Sequence, residues 1–248
     1  MQLGLDGKVF VVTAASSGLG LATARELVAE GAQVVLVARR AEVLDGLATE
    51  LGAATLAADL ADPQTPQRAV DLALERFGRV DGALVSVGGP PKGSVLGTTD
   101  EQWTQAFASV FLPALRTARA VFGANPAARM GFVLSTSAKA PLPQMAPSNG
   151  LRPGLAMLIK QLADEVGPQG GRAFGLMPGL VATDRMTYLY AQTEDPAASR
   201  AADEQKIPLR ALGEPEQFGK VACFLLSDAA GYVSGSLVAV DGGSLRTI

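Results

Sequence analysis

Apolar runs without polar alternation recur along this chain, each followed by a segment whose apolar positions return every three or four residues. Val9 to Val12, Gln33 to Val37, Thr55 to Ala57, Ala83 to Val87, Phe132 to Leu134, Arg172 to Leu176 and Leu237 to Val240 read as strands. Continuous apolar strands of this kind belong to a sheet buried on both faces. The helical pattern covers Ala22 to Glu30, Glu42 to Leu51, Gln67 to Phe77 and a long stretch from Glu101 to Phe122, where Pro113 is expected to introduce a kink. A strand–helix rhythm with seven strands predicts an α/β architecture: a doubly wound, seven-stranded parallel sheet with helices on both faces, in one domain over residues 1–248. The least regular stretch, Asp184 to Arg210, follows the end of a strand and suits a lid over a substrate.

Chemistry enters at the first strand. Val11-Val12-Thr13-Ala14-Ala15-Ser16-Ser17-Gly18-Leu19-Gly20 leads from a strand through a small-residue turn into a helix. Such a turn lets backbone approach a pyrophosphate, and the helix start offers unpaired N–H groups and partial positive charge. This is the dinucleotide-binding arrangement of a Rossmann fold.

Composition narrows the choices further. The chain has 248 residues, 48% of them hydrophobic, and a net charge of -3, which gives no support for nucleic-acid or anionic-membrane binding. It has no histidine, so the commonest general base and zinc ligand are missing and no metal site is expected. Cys223 is the sole cysteine, excludes an internal disulfide and falls on a helix face that reads as core. The first strand starts within ten residues of Met1 and no apolar run is long enough to span a bilayer, so a cytoplasmic protein is expected.

Several ordered segments resemble the short-chain dehydrogenase/reductase family over nearly the whole chain. The family's Thr-Gly-x-x-x-Gly-x-Gly is matched by Thr13 to Gly20, with Ala14 at the first glycine. Asp59-Leu60 closes the third strand, where family members contact adenine. Pro178-Gly179-Leu180-Val181-Ala182-Thr183 is similar to the segment that holds the nicotinamide carboxamide. Leu212 to Glu216, Leu225 to Ala230 and Asp241-Gly242-Gly243 are similar to the C-terminal signature. The resemblance implies that Thr13, Ser16, Ser17, Gly18, Leu19, Gly20, Asp59, Leu60, Gly88, Arg152, Pro178, Gly179, Val181 and Thr183 bind coenzyme. It also implies a homodimer or homotetramer, paired through the two long helices. For coenzyme type, the second strand ends Val37-Ala38-Arg39-Arg40, with no acid for the adenosine ribose and two arginines suited to a 2′-phosphate. NADP is therefore expected ahead of NAD.

The family's catalytic columns diverge. Family reductases place a tyrosine thirteen residues after a serine, and a lysine four residues further on. Here Ser148 falls in the tyrosine column and Arg152 in the lysine column. Ser135 falls in the serine column, with Ser137 as a second candidate. Val110 replaces a common asparagine, and Ser86-Val87-Gly88-Gly89 replaces Asn-Asn-Ala-Gly. A phenol ionises near ~10, whereas an aliphatic hydroxyl behaves more like water at ~15.7, so Ser148 is a poor acid. Arginine can stabilise an oxyanion but cannot shuttle protons near neutrality. A positioned general acid contributes roughly 10²–10⁴-fold, so slow hydride transfer survives its loss. Pro147 and Pro153 predict that the helix begins near Leu151 or Arg152, leaving Ser148 and Asn149 in the loop before it. Tyr188, Tyr190 and Lys139 are substitute donors to be weighed against lid packing or exposure. The leading reading is a hydride-transferring oxidoreductase acting on a small carbonyl or alcohol. A catalytically degenerate coenzyme-binding sensor or scaffold is the alternative, and a non-redox lyase like the halohydrin dehalogenases fits less well, since the glycine turn is kept.

Overall fold

The computed structural model describes residues 2–247. Its strands are β1 (Val9–Thr13), β2 (Gln33–Ala38), β3 (Ala54–Ala57), β4 (Gly82–Val85), β5 (Arg129–Val133), β6 (Arg172–Pro178) and β7 (Leu237–Val240). All six pairings are parallel, in the order β3-β2-β1-β4-β5-β6-β7. Direction of winding reverses between β1 and β4, and a crevice at that switch point, beyond the strands' carboxyl ends, is where such sheets bind ligands.

The helices are α1 (Gly18–Ala29), α2 (Ala41–Leu51), α3 (Thr65–Phe77), α4 (Asp100–Ala106), α5 (Leu112–Ala124), α6 (Ala146–Val166), α7 (Asp184–Ala191), α8 (Pro196–Lys206) and α9 (Pro215–Leu226). Two cores follow from the period of two along each strand. Val9 and Val11 of β1 point to the face covered by α3, α5 and α6, with Val70, Val121 and Ile159. Phe10 and Val12 point to the other face, with Leu27 of α1, Leu44 of α2 and Phe218 of α9. Cys223 lies in this second core, where burial pushes its thiol up to about 12. No helix among the described residues is long and apolar enough to cross a membrane.

Three elements depart from the sequence reading. The long helix expected over Glu101 to Phe122 is α4 and α5 joined by a π-helical turn, Phe107–Phe111. Pro113 has no N–H to give the carbonyl four residues back, and the ladder widens just before it. Strand β4 stops at Val85, short of the expected Val87, because Ser86 turns to exchange bonds with Thr13: Thr13 Oγ1 donates to Ser86 O (2.6 Å) and accepts from Ser86 N (2.9 Å). The third correction concerns α6, which begins at Ala146, five residues before Leu151. Pro147 occupies its first turn, where no N–H is needed, and Pro153 is tolerated inside the helix. Successive side chains tie this first half down. Asn149 accepts from Leu142 N (3.0 Å) and donates to Leu142 O (2.9 Å), Ser148 meets Ser137, and Arg152 donates to Val133 O. Tertiary anchoring thus outweighs the proline penalty of roughly 3 kcal/mol.

Candidate active site

The turn after β1 is shaped by close approach. Ala14 lies in the left-handed region (φ 50°), at the position of the family's first glycine, and Gly18 also has positive φ (57°). Gly20 has no alternative: a Cβ there would sit 2.7 Å from Ala14 O and 2.9 Å from Thr13 O. The result seats α1 hard against β1 with its first N–H groups uncapped, since Ser17 makes no side-chain cap.

Beyond this turn a cavity of about 870 Å³ opens at the carboxyl ends of the strands. It is large for a pocket, where roughly 300–1,000 Å³ is usual. Of the residues expected to bind coenzyme, Ser17, Gly18, Leu19, Gly20, Gly88, Arg152, Pro178, Gly179, Val181 and Thr183 line it together. Ser135 and Ser148 line it as well. Thr13, Ser16, Arg39, Arg40, Asp59 and Leu60 do not. Thr13 is fully buried and locks β1 to Ser86, so its hydroxyl serves the scaffold and not the crevice. Arg40 grips Ser16, donating from Nη2 to Oγ (3.0 Å) and to the carbonyl (3.1 Å). Arg39 is exposed. Asp59 folds its carboxylate onto Ala61 N (2.9 Å) in the turn after β3.

Elsewhere in the cavity lining, the hydroxyl of Ser148 meets a second hydroxyl behind it. Ser148 Oγ and Ser137 Oγ are 2.9 Å apart, and the residues are 2% and 3% exposed. Of the two serines considered, Ser137 is therefore the one that reaches Ser148. Ser135 Oγ instead accepts from Ser137 N (3.1 Å), bracing the short 3₁₀ turn Thr136–Ala138 that presents Ser137. One helical turn beyond Ser148, Arg152 is 5% exposed and donates from Nη1 to Val133 O (2.7 Å). Its Nε is the one buried side-chain nitrogen or oxygen among the described residues that has no partner. Burial pushes the guanidinium down to about 10, which leaves it cationic at neutral pH.

Residues 184–210, the stretch expected to form a lid, contain α7 and α8, joined by Tyr190, whose hydroxyl donates to Asp203 Oδ2 (3.1 Å). Burial and the Asp203 carboxylate push this phenol up to about 12, making it a poorer acid than a free tyrosine. Tyr188 is 66% exposed, Lys139 is exposed, and neither lines the cavity. Of the three, Tyr190 alone lines the cavity, with its hydroxyl engaged by Asp203. Lys92 and Arg185, which do line the cavity, were not singled out from the sequence. Lys92 stands in an irregular segment, and Arg185 in the first turn of α7, a helix that the sequence reading left as the least regular stretch.

A doubly wound α/β protein with a glycine-turn crevice at its switch point is a nucleotide-binding protein by construction. More narrowly, the chain belongs to the short-chain dehydrogenase/reductase family: a family model described as enoyl-(acyl carrier protein) reductase matches residues 13–244. It is 31% identical over 250 residues to human dehydrogenase/reductase SDR family member 4, covering 97% of this chain and 88% of that protein. Among solved structures, L-sorbose reductase from Gluconobacter frateurii, complexed with NADPH and L-sorbose, superposes with a TM-score of 0.93 at 29% identity over the full length of both chains. A short chain oxidoreductase from Pseudomonas aeruginosa PAO1, described as containing an atypical catalytic center, superposes with a TM-score of 0.90 at 27% identity, over 99% of this chain and 100% of that one.

Proposed function

We propose that this protein transfers hydride between NADP(H) and a small carbonyl or alcohol, with Ser148, Ser137 and Arg152 where its family carries a phenol and an ammonium. The observation that carries this reading is the convergence, in one cavity, of the uncapped glycine turn with Ser148, whose hydroxyl is backed by Ser137, and with Arg152, whose guanidinium keeps an orphaned N–H. The residues fit the coenzyme. Gly18 and Gly20 let a diphosphate approach the start of α1, a Cβ on Gly88 would meet nothing within 4 Å, and Arg152 Nε–H lacks only an acceptor such as a ribose hydroxyl. Arg39 and Arg40, with Ala38 in place of an acid, favour the 2′-phosphate form. The NADPH complex of L-sorbose reductase supports the same choice, and its ketose supports a small polar substrate.

When bound, the nicotinamide supplies or accepts the hydride. Ser148 Oγ–H then donates to the carbonyl oxygen, and Ser137 Oγ–H donates in turn to Ser148, so the pair polarises without ionising. Arg152, held on the end of β5, lowers the energy of the developing oxyanion through a low-dielectric path. Neither serine nor arginine releases a proton at neutral pH, so water protonates the product. The short-chain oxidoreductase with an atypical center supports departure from the usual pair within this fold. We also infer a homodimer or homotetramer paired through α5 and α6, to be checked by sedimentation.

The test is a fluorescence titration with NADPH and NADH, followed by NADPH consumption over a panel of ketoses and small ketones. Tighter binding of NADPH and slow turnover are expected. Absence of uptake of either coenzyme at millimolar levels refutes the reading. Tight binding with no turnover of any ketone reassigns the protein to a coenzyme-binding role without catalysis.

A further inference from the structure

Resting on the coenzyme reading above, we propose that Arg185, carried by the lid helix α7, is a ligand for the coenzyme's diphosphate, so that lid closure and coenzyme capture are one event. Arg185 reaches across the cavity from the lid to the segment after β4. Its guanidinium packs against Gly89: a Cβ there would fall 2.8 Å from Nη2 and 2.9 Å from Cζ, so a side chain at that position would push the arginine away. Among the described residues Arg185 makes no ion pair and no side-chain hydrogen bond. A five-donor fork is thus parked against bare backbone inside a cavity.

The surroundings call for an anion. Of the charged residues lining the cavity, Lys206 and Asp203 neutralise each other at 2.7 Å. Lys92, Arg152 and Arg185 remain, against Asp184 alone. Two helix starts also converge there. Neither Ser17 at α1 nor Thr183 at α7 caps its helix with its side chain, and a Cβ on Gly18 would lie 3.4 Å from Thr183 Cγ2. Both ends present free N–H groups and partial positive charge. Independently, Arg152, only 5% exposed, lines the same cavity and has an Nε–H without a partner. A diphosphate carries two negative charges on several acceptor oxygens, which suits one guanidinium fork between two helix starts. Arg185 stands two residues past Thr183, at the point where the two starts meet.

The experiment is a set of titrations of the apo protein with three probes: NADPH, 2′-phospho-ADP-ribose, and adenosine 2′-monophosphate, which lacks the diphosphate. Arg185→Gln should weaken the first two by about tenfold or more and leave the third unchanged, as expected for losing one hydrogen-bonded charge. Arg185→Lys should restore part of the loss. Arg40→Gln should weaken all three, because each carries the 2′-phosphate. Unchanged affinities in Arg185→Gln, or equal weakening of all three probes, overturns the proposal. So does a raised KM for the ketone with coenzyme affinity intact, which would hand Arg185 to the substrate. If the unmodified protein binds none of the probes, the coenzyme reading itself falls.

Discussion

Two buried arginines sit at opposite ends of the sheet and are treated in opposite ways. Arg172, at the amino end of β6, is 6% exposed and fully engaged. Its Nη1 donates to Leu225 O (2.9 Å) and Val233 O (3.1 Å), its Nη2 donates to Ser227 O (2.8 Å), and its Cζ lies 5.9 Å from the centre of the Phe174 ring. Leu225 and Ser227 close α9, so the cation also meets the negative end of a helix. Arg152, at the carboxyl end of β5, has one carbonyl and one orphaned N–H. Burial pushes both guanidinium groups down to about 10. Equal burial with unequal satisfaction separates a group that holds the fold from one that, under the proposed function, is held in reserve for a ligand, because a buried donor left unpaired costs roughly 1–3 kcal/mol.

The contrast is sharpest in the paired substitutions to methionine, which keep side-chain length without charge. Arg152→Met should cut turnover by roughly 10²–10³-fold, the usual cost of one oxyanion donor, while changing stability by less than about 1 kcal/mol. Arg172→Met should do the reverse: a stability loss of about 3 kcal/mol in urea unfolding, from three stranded carbonyls, with coenzyme affinity of the folded protein unchanged. If Arg152→Met unfolds the protein as readily as Arg172→Met, the distinction between the two ends disappears.

Smaller effects probe the crevice end alone. Gly20→Ala pushes a methyl against two backbone carbonyls and should lower stability by roughly 1–3 kcal/mol, with weaker NADPH binding in titration. Ala14→Gly relieves left-handed strain and should raise the unfolding midpoint by a gain under about 1 kcal/mol. The smallest expected effect is that of pH. Arg152 keeps its charge up to about 10, Tyr190 keeps its proton up to about 12, and there is no histidine. The rate of ketone reduction should therefore be flat from roughly pH 6 to 9 and fall as pH passes ~10, where Arg152 loses its charge. A bell with a limb inside that range would point to an acid–base group outside the serine–arginine corner.

The strands and the glycine turn were legible because their causes are local. Val9 to Val12 must be buried on both faces whatever packs there, and Gly20 is dictated by atoms six and seven residues back in the same turn. The first half of α6 was not. Pro147 and Pro153 argue locally for a later start, and what outweighs them is contact with Leu142, Ser137 and Val133, none of which any spacing ties to the helix. The choice between Ser135 and Ser137 was hidden for the same reason, since a 3₁₀ turn of three residues exchanges which hydroxyl faces Ser148.

From the order of residues alone came the parallel sheet, the glycine turn at the start of α1 and the expectation of Ser148 and Arg152 in the family's tyrosine and lysine columns. Burial periodicity and backbone sterics act over a few residues and leave a readable trace. Folding in three dimensions settled the rest: a serine hydroxyl set against another eleven residues away, a guanidinium sealed in without a counter-charge, an arginine of α7 packed against Gly89. Those are relations between distant segments, fixed by how helices and loops close over the sheet, and no local pattern encodes them.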